Sequence, residues 1–285
     1  METMEIKNSS SISEKERSQN MANEEIKKEL ERQRPGAVKI LSEEYGIRNF
    51  YRFPLEVLLA QASQEKEQIP YGLMVFPTDK NKLAFDELQP VLANLHKQLK
   101  GHYAIKIVES GSEIDLGKKF ITLKNKYGEK NKISFVFLAG HGAEEGSGVI
   151  LGNYDSKIPK EINPSKRNVI WKEKVESPSF KKINQKYLDE DAEIVFLSCR
   201  TGVREGIADE FSSSLKRKTT GPVIPVQLHN LNIKVSYDED GKPHFKTIYQ
   251  NEEGLTAVYD NRNKSDKKKI KELELVEDDY NDGIF

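Results

Sequence analysis

From about residue 70 the chain alternates apolar blocks with amphipathic ones. YGLMVFPTD (71–79) reads as a strand. LAFDELQPVLANLHKQL (83–99) carries Leu, Phe and Val at three- and four-residue intervals and reads as a helix that Pro90 either kinks or starts. HYAIKIVES (102–110) reads as a second strand, EIDLGKKFITLKNKYG (113–128) as a helix closed by Gly128, and KISFVFLAG (132–140) as a third strand. A glycine-rich segment with the short apolar run GVILG (148–152) follows, then a polar stretch from Asn153 to Lys174. PSFKKINQKYL (178–188) is predicted helical, EIVFLSC (193–199) a fourth strand, REGIADEFSSSL (204–215) a helix and PVIPVQ (222–227) a fifth, short strand. IKVSY and HFKTIYQ flank Asp240-Gly241 as a hairpin would, and LTAVYD (255–260) reads as one more strand. VFLAG and IVFLS are apolar at successive rather than alternate positions, as strands covered on both faces must be. Alternating strands and helices imply an α/β fold with a mainly parallel central sheet and helices on both faces.

The flanks differ in composition. Residues 1–35 are polar, end at Pro35-Gly36 and read as a mobile arm with helical tendency in NEEIKKELERQ. With few apolar groups, this arm is expected to be dispensable for folding. Residues 36–66 contain Phe50, Leu55, Val57 and Leu58 and read as a helical segment docked on the main domain, residues 67–262. Residues 263–285, a lysine-rich run followed by an acidic one, read as a charged tail.

Charge narrows the partners. Lys plus Arg (45) nearly balances Asp plus Glu (46), so no general attraction to nucleic acid or to an anionic membrane is expected. No apolar run approaches the ~20 residues of a membrane span. The start METMEIKNSSSISEKERSQ lacks the apolar stretch of a signal peptide, which predicts a cytoplasmic protein and leaves open export by a route without a classical signal. A single cysteine excludes an internal disulfide and a cysteine-based zinc cluster.

That cysteine carries the candidate chemistry. His141 follows one apolar strand and Cys199 ends another, so both belong to the sheet edge beyond the strand carboxyl ends, where ligands bind in open parallel sheets. Were the two strands neighbours ~4.8 Å apart, both side chains would lean over one spot. A thiol is a usable nucleophile near neutral pH, and an imidazole can take its proton or protonate a leaving amine. Arg200, Arg204 and the helix expected to begin near Arg204 favour a thiolate. Gly142 permits close approach of a substrate, and its N–H with that of Cys199 can hold an oxyanion.

An apolar strand ending in His141-Gly142, followed by an apolar strand ending in Cys199, resembles the caspase-like cysteine peptidases, the group of caspases, metacaspases, separases and gingipains. The order and interval resemble the caspase signature, in which histidine precedes cysteine by ~50 residues. Cys199-Arg200 resembles the Cys-Arg of caspases, and Cys199-x-Thr201-Gly202 the Cys-x-Thr-Gly of CHAT domains, the closest in motif. The resemblance spans roughly residues 70–230. It implies a caspase-like three-layer sandwich and a cysteine endopeptidase acting on protein or peptide through a Cys199–His141 dyad and a thioester. It also implies activation by a partner or by self-processing within 153–174. No metal or other cofactor is required, although relatives in the group sometimes use calcium. Leu197 departs from the pattern, since caspases carry glutamine two residues before the nucleophile and metacaspases an acidic residue.

Specificity stays open at this level. Glu144 and Glu145 could select a basic side chain, and Arg200 and Arg204 an acidic one. His96, His102, His229 and His244 have no metal-ligand spacing, and GSGVILG lacks the spacing of a phosphate loop. Two other readings remain. One is an inactive member of the same fold serving as a binding or scaffold module. The other is a nucleotide-binding α/β domain, against which FPTDKNK after the first strand offers no glycine-rich loop.

Overall fold

A computed structural model of the chain describes residues 14–63, 69–78, 85, 88–128, 130–249 and 254–262. The expected charged tail, the first part of the expected arm and most of FPTDKNK lie outside the described residues. In chain order the longer helices are α1 (Glu14–Gln33), α2 (Ala37–Tyr45), α3 (Leu55–Ser63), α4 (Gln89–Leu99), α5 (Glu113–Tyr127), α6 (Pro178–Tyr187) and α7 (Ile207–Leu215). The strands are β1 (Tyr71–Pro77), β2 (Ala104–Ser110), β3 (Ile133–Ala139), β4 (His141–Gly142), β5 (Gly148–Ile150) and β6 (Val169–Trp171). They continue with β7 (Leu188–Leu197), β8 (Lys218–Pro222), β9 (Asn232–Tyr237), β10 (Pro243–Ile248) and β11 (Thr256–Asp260).

Six strands form the central sheet in the order β11-β8-β7-β3-β1-β2, and all pair in parallel except β11 with β8. All seven residues of β1 are buried, as the unbroken apolar run demands of a strand covered on both sides. Right-handed crossovers fix the layers. The chain moves one way from β1 through α4 to β2, and the other way from β2 through α5 to β3 and on through α6 and α7. Accordingly α5, α6 and α7 pack on the face carrying Val75, Val136, Leu138 and Ile194. On the opposite face the β9–β10 hairpin sets Phe245 against Phe135 and Phe137, with ring centroids 4.8 and 4.9 Å apart. Beside it, the Gln98 amide of α4 bonds to Ile233 O and Val235 N of β9.

Local signals account for the helix ends, two of them, Pro90 and Gly128, as expected and two, Ser112 and Ser177, not singled out from the sequence. Pro90 lies in the first turn of α4 and so starts the helix, Ser112 Oγ caps α5 by accepting from Asp115 N, and Gly128 closes it at φ 86°. Ser177 caps α6 in the same way.

The N-terminal segment covers the free edge of β2. The Gln61 side-chain amide accepts from Ile107 N (2.8 Å) and donates to Ile107 O (2.9 Å), standing in for the strand that the edge lacks. Two residues on, the buried Glu109 carboxylate accepts from Arg48 N, Asn49 N and Asn49 Nδ2, with the buried Arg52 guanidinium 3.4 Å away. A buried charge with this many donors is satisfied; removing one partner is what costs.

Three expectations need correction. The arm is not mobile over Glu14–Gln33: it is helix α1, with Leu30 fully buried and Asn23 bonded to Arg48 O. Its Glu31 carboxylate also accepts from Gly36 N and Val38 N at the start of α2. Buried Leu30, half-buried Ile26 and the Asn23 and Glu31 side-chain bonds dock a segment whose average polarity suggests no docking. Within the polar stretch 153–174, Val169–Trp171 form the buried strand β6, paired with β5, and Trp171 Nε1 donates to Lys166 O. The mobility expected there does not hold for that strand. The fifth strand is KTTGP rather than PVIPVQ, because β8 is set by pairing with β7 and by Thr219 Oγ1 donating to Ala208 O. Val223–Gln227 instead form a loop beside the site described below. Among the described residues no helix is long and apolar enough to cross a membrane.

Leu30→Ala is expected to lower unfolding free energy by about 2–5 kcal/mol, the range for emptying a buried leucine site. Met21→Ala, on the exposed face of the same helix, should cost no more than about 0.5 kcal/mol. Denaturant unfolding of both variants checks this; equal midpoints would mean that α1 is not docked in solution.

Candidate active site

β3 and β7 are neighbours, and their register sets Ala139 beside Leu197. His141 and Cys199 each lie two residues further, at the carboxyl edge of the sheet. The approach there is closer than strand spacing alone gives. A Cβ on Gly142 would sit 2.1 Å from Cys199 O, so only glycine lets the two backbones touch. Gly146 repeats the contact one step on, since its Cβ would sit 2.1 Å from Arg200 O. The loop after β3 is itself held as β4, with His141 opposite Ile150 and Gly142 opposite Val149.

The cysteine loop is fixed from several sides. Thr201 Oγ1 donates to Ser198 O (2.7 Å), Gly202 N to Pro222 O (2.8 Å) and Tyr259 Oη to Gly202 O (2.8 Å). Arg200 takes a left-handed conformation, φ 58°, which turns the chain directly after the thiol. The helix expected near Arg204 begins at Ile207, and Ala208 N donates to Thr201 O, so the helix end closes this loop. Its first turn holds Asp209 and Glu210, which offset the positive end of the dipole.

His141 and Cys199, each half-buried, line one pocket of about 170 Å³. The imidazole meets the Phe85 ring edge-on at 5.4 Å, and its Nε2 is buried with no hydrogen-bond partner. Cys199 Sγ accepts from Val226 N (3.4 Å) and donates to Val226 O (3.6 Å). The first contact suits thiol and thiolate alike, while the second suits only the thiol. Tyr249 is fully buried behind the site with its hydroxyl unpartnered. Burial, and then the charge of nearby Cys199, push this phenol far above its ordinary range, so it stays protonated.

Of the residues singled out from sequence, His141, Gly142 and Cys199 come together. Glu144, Glu145, Arg200 and Arg204 are exposed on the flanking loops, and none lines the pocket. Sequence reasoning missed Phe85, Val226 and Tyr249. Val226 sits in an apolar run that read as a strand, and Tyr249 follows the hairpin far along the chain from Cys199, so no local pattern marks either. Among the described residues no group of His, Cys, Asp and Glu side chains is arranged to hold a metal ion. No protein-family model matches the chain. No curated protein shows significant similarity to it.

Gly142→Ala is expected to destabilise the protein by about 1–3 kcal/mol, because the new methyl group must displace the Cys199 carbonyl. Gly117→Ala in α5, where a Cβ meets open space, should instead stabilise by about 0.5–1 kcal/mol. Thermal unfolding compares the two, and a Gly142→Ala variant as stable as the wild type or more so would show that the loops do not touch.

Proposed function

We propose that the chain is a cysteine endopeptidase built as a caspase-like three-layer sandwich, with Cys199 as nucleophile and His141 as general acid–base. The observation that carries the reading is the glycine-on-carbonyl contact between Gly142 and Cys199, which brings the His-Gly and Cys loops over one pocket. The strand order and the antiparallel edge strand support the finer fold assignment.

The chemistry follows from these groups. Cys199 Sγ, its proton taken by His141, attacks the carbonyl carbon of a peptide bond and forms a C–S bond. The resulting oxyanion is held by the amides of Gly142 and Cys199. The C–N bond then breaks as the imidazolium gives its proton to the leaving amine, which leaves a thioester. Water, deprotonated by the same imidazole, attacks the thioester and releases the acid and the thiol. The reading assigns the enzyme to the cytoplasm, where a lone thiol stays reduced. It also assigns any activating cleavage to the exposed turn around Asp155–Ile162 rather than to buried β6.

One observation favours a second reading, a catalytically silent binding module of the same fold: the thiol hydrogen donates to Val226 O. In the peptidase reading that bond is exchanged when substrate enters; in a silent module it persists.

Cys199→Ala is expected to abolish hydrolysis of an unfolded protein such as dye-labelled casein, and His141→Ala to slow it by about 10² or more. Unchanged rates in either variant rule out the dyad. A wild-type protein without activity whose thiol alkylates at a rate that follows an ordinary thiol titration supports the silent module.

A further inference from the structure

The pocket at Cys199 carries a statement about substrate class that the sequence left open. Among the described residues its inner walls are apolar: Phe85, Leu197, Val226 and Leu228 surround the space that His141 and Cys199 close. Gln227 and His229, both exposed, stand at its mouth. Phe85, Leu197 and Leu228 are buried, so these walls are part of the core rather than mobile surface. The volume, about 170 Å³, is close to the 150 Å³ at which an apolar cavity holds a benzene-sized group.

On the reading that Cys199 acylates, we propose that this pocket selects an uncharged apolar side chain, of leucine, methionine or phenylalanine size, on the acyl side of the scissile bond. Burying such a side chain against these walls is favourable by the ordinary hydrophobic term. A lysine or arginine side chain would shed its hydration there and meet no carboxylate among the described lining residues, and an aspartate would meet no lysine or arginine among them. Glu144, Glu145, Arg200 and Arg204, the charged residues of the two flanking loops singled out from sequence, are exposed and line none of it. Leu197 is central to the selection: it stands in β7 two residues before the nucleophile and forms part of the wall.

The test uses peptidyl chloromethyl ketones identical except for leucine, methionine, lysine, arginine or aspartate next to the ketone. Alkylation forms a C–S bond at Cys199 and releases chloride and a proton, and intact mass reads it without any turnover. The leucine and methionine probes are expected to label at least about 100-fold faster than the charged ones. Gln227→Glu, a change at the exposed mouth, should narrow the leucine-to-lysine ratio at least about tenfold. Equal or faster labelling by a charged probe, together with cleavage of the matching peptide, overturns the apolar pocket and leaves the peptidase reading standing. Labelling by every peptide probe no faster than by plain chloroacetamide, with no peptide cleaved, overturns the peptidase reading and the pocket assignment with it.

Discussion

The backbone contact between Gly142 and Cys199 is the constraint on which the site depends. Parallel pairing of β3 with β7 delivers the two loops to the same edge, yet strand spacing alone leaves a gap between them. Glycine removes it: with no Cβ at position 142, the loop after β3 lies directly on the carbonyl of Cys199. The same device recurs at Gly146 on Arg200 and at Gly202 on Gly221, where a Cβ would sit 1.9 Å from the Gly221 carbonyl. Three glycine-to-carbonyl contacts thus join the loop after β3, the cysteine loop and β8 into one block. His141, Cys199 and the pocket between them hold a fixed geometry because that block does.

The rest of the fold keeps the sheet edge from shifting. Gln61 and Glu109 tie the N-terminal segment to β2, and Gln98 ties α4 to the hairpin. Gln61 and Gln98 each supply hydrogen bonds that a missing neighbouring strand would make, while Glu109 reaches out from β2 to accept from Arg48 and Asn49. The buried Arg52–Glu109 pair adds little net stability as an ion pair, but either charge left alone would be costly, which makes the docked arrangement specific. Opposite, β11 closes the sheet by antiparallel pairing to β8.

Much of this was legible in the sequence because it is local. Unbroken apolar runs marked β1, β3 and β7, Pro90 and Gly128 marked helix ends, and Asp240-Gly241 marked the hairpin turn. The His-Gly and Cys motifs were legible for the same reason. What was not legible depends on partners distant in sequence. Leu30 is one leucine in a polar helix, and only the surface beneath it makes it an anchor. Val169–Trp171 are three apolar residues in a polar stretch, ordered by β5. KTTGP is weakly apolar and becomes a strand by pairing with β7, while the more apolar PVIPVQ is left to form the wall of the site. The Val226 contacts to the thiol follow from that displacement and from nothing in the local pattern.

The central claim is that Cys199 and His141 act on one carbonyl group, the first forming a bond to it and the second moving the proton. A peptide p-nitrophenyl ester separates these roles, because its leaving group departs without a proton while the thioester still needs an activated water. Intact mass after rapid quench of His141→Ala with this ester is the direct measurement. The account predicts an acyl adduct on Cys199 that accumulates and persists, against a short-lived adduct in the wild type. No adduct on Cys199 in either protein, or adducts that decay at the same rate in both, would contradict it.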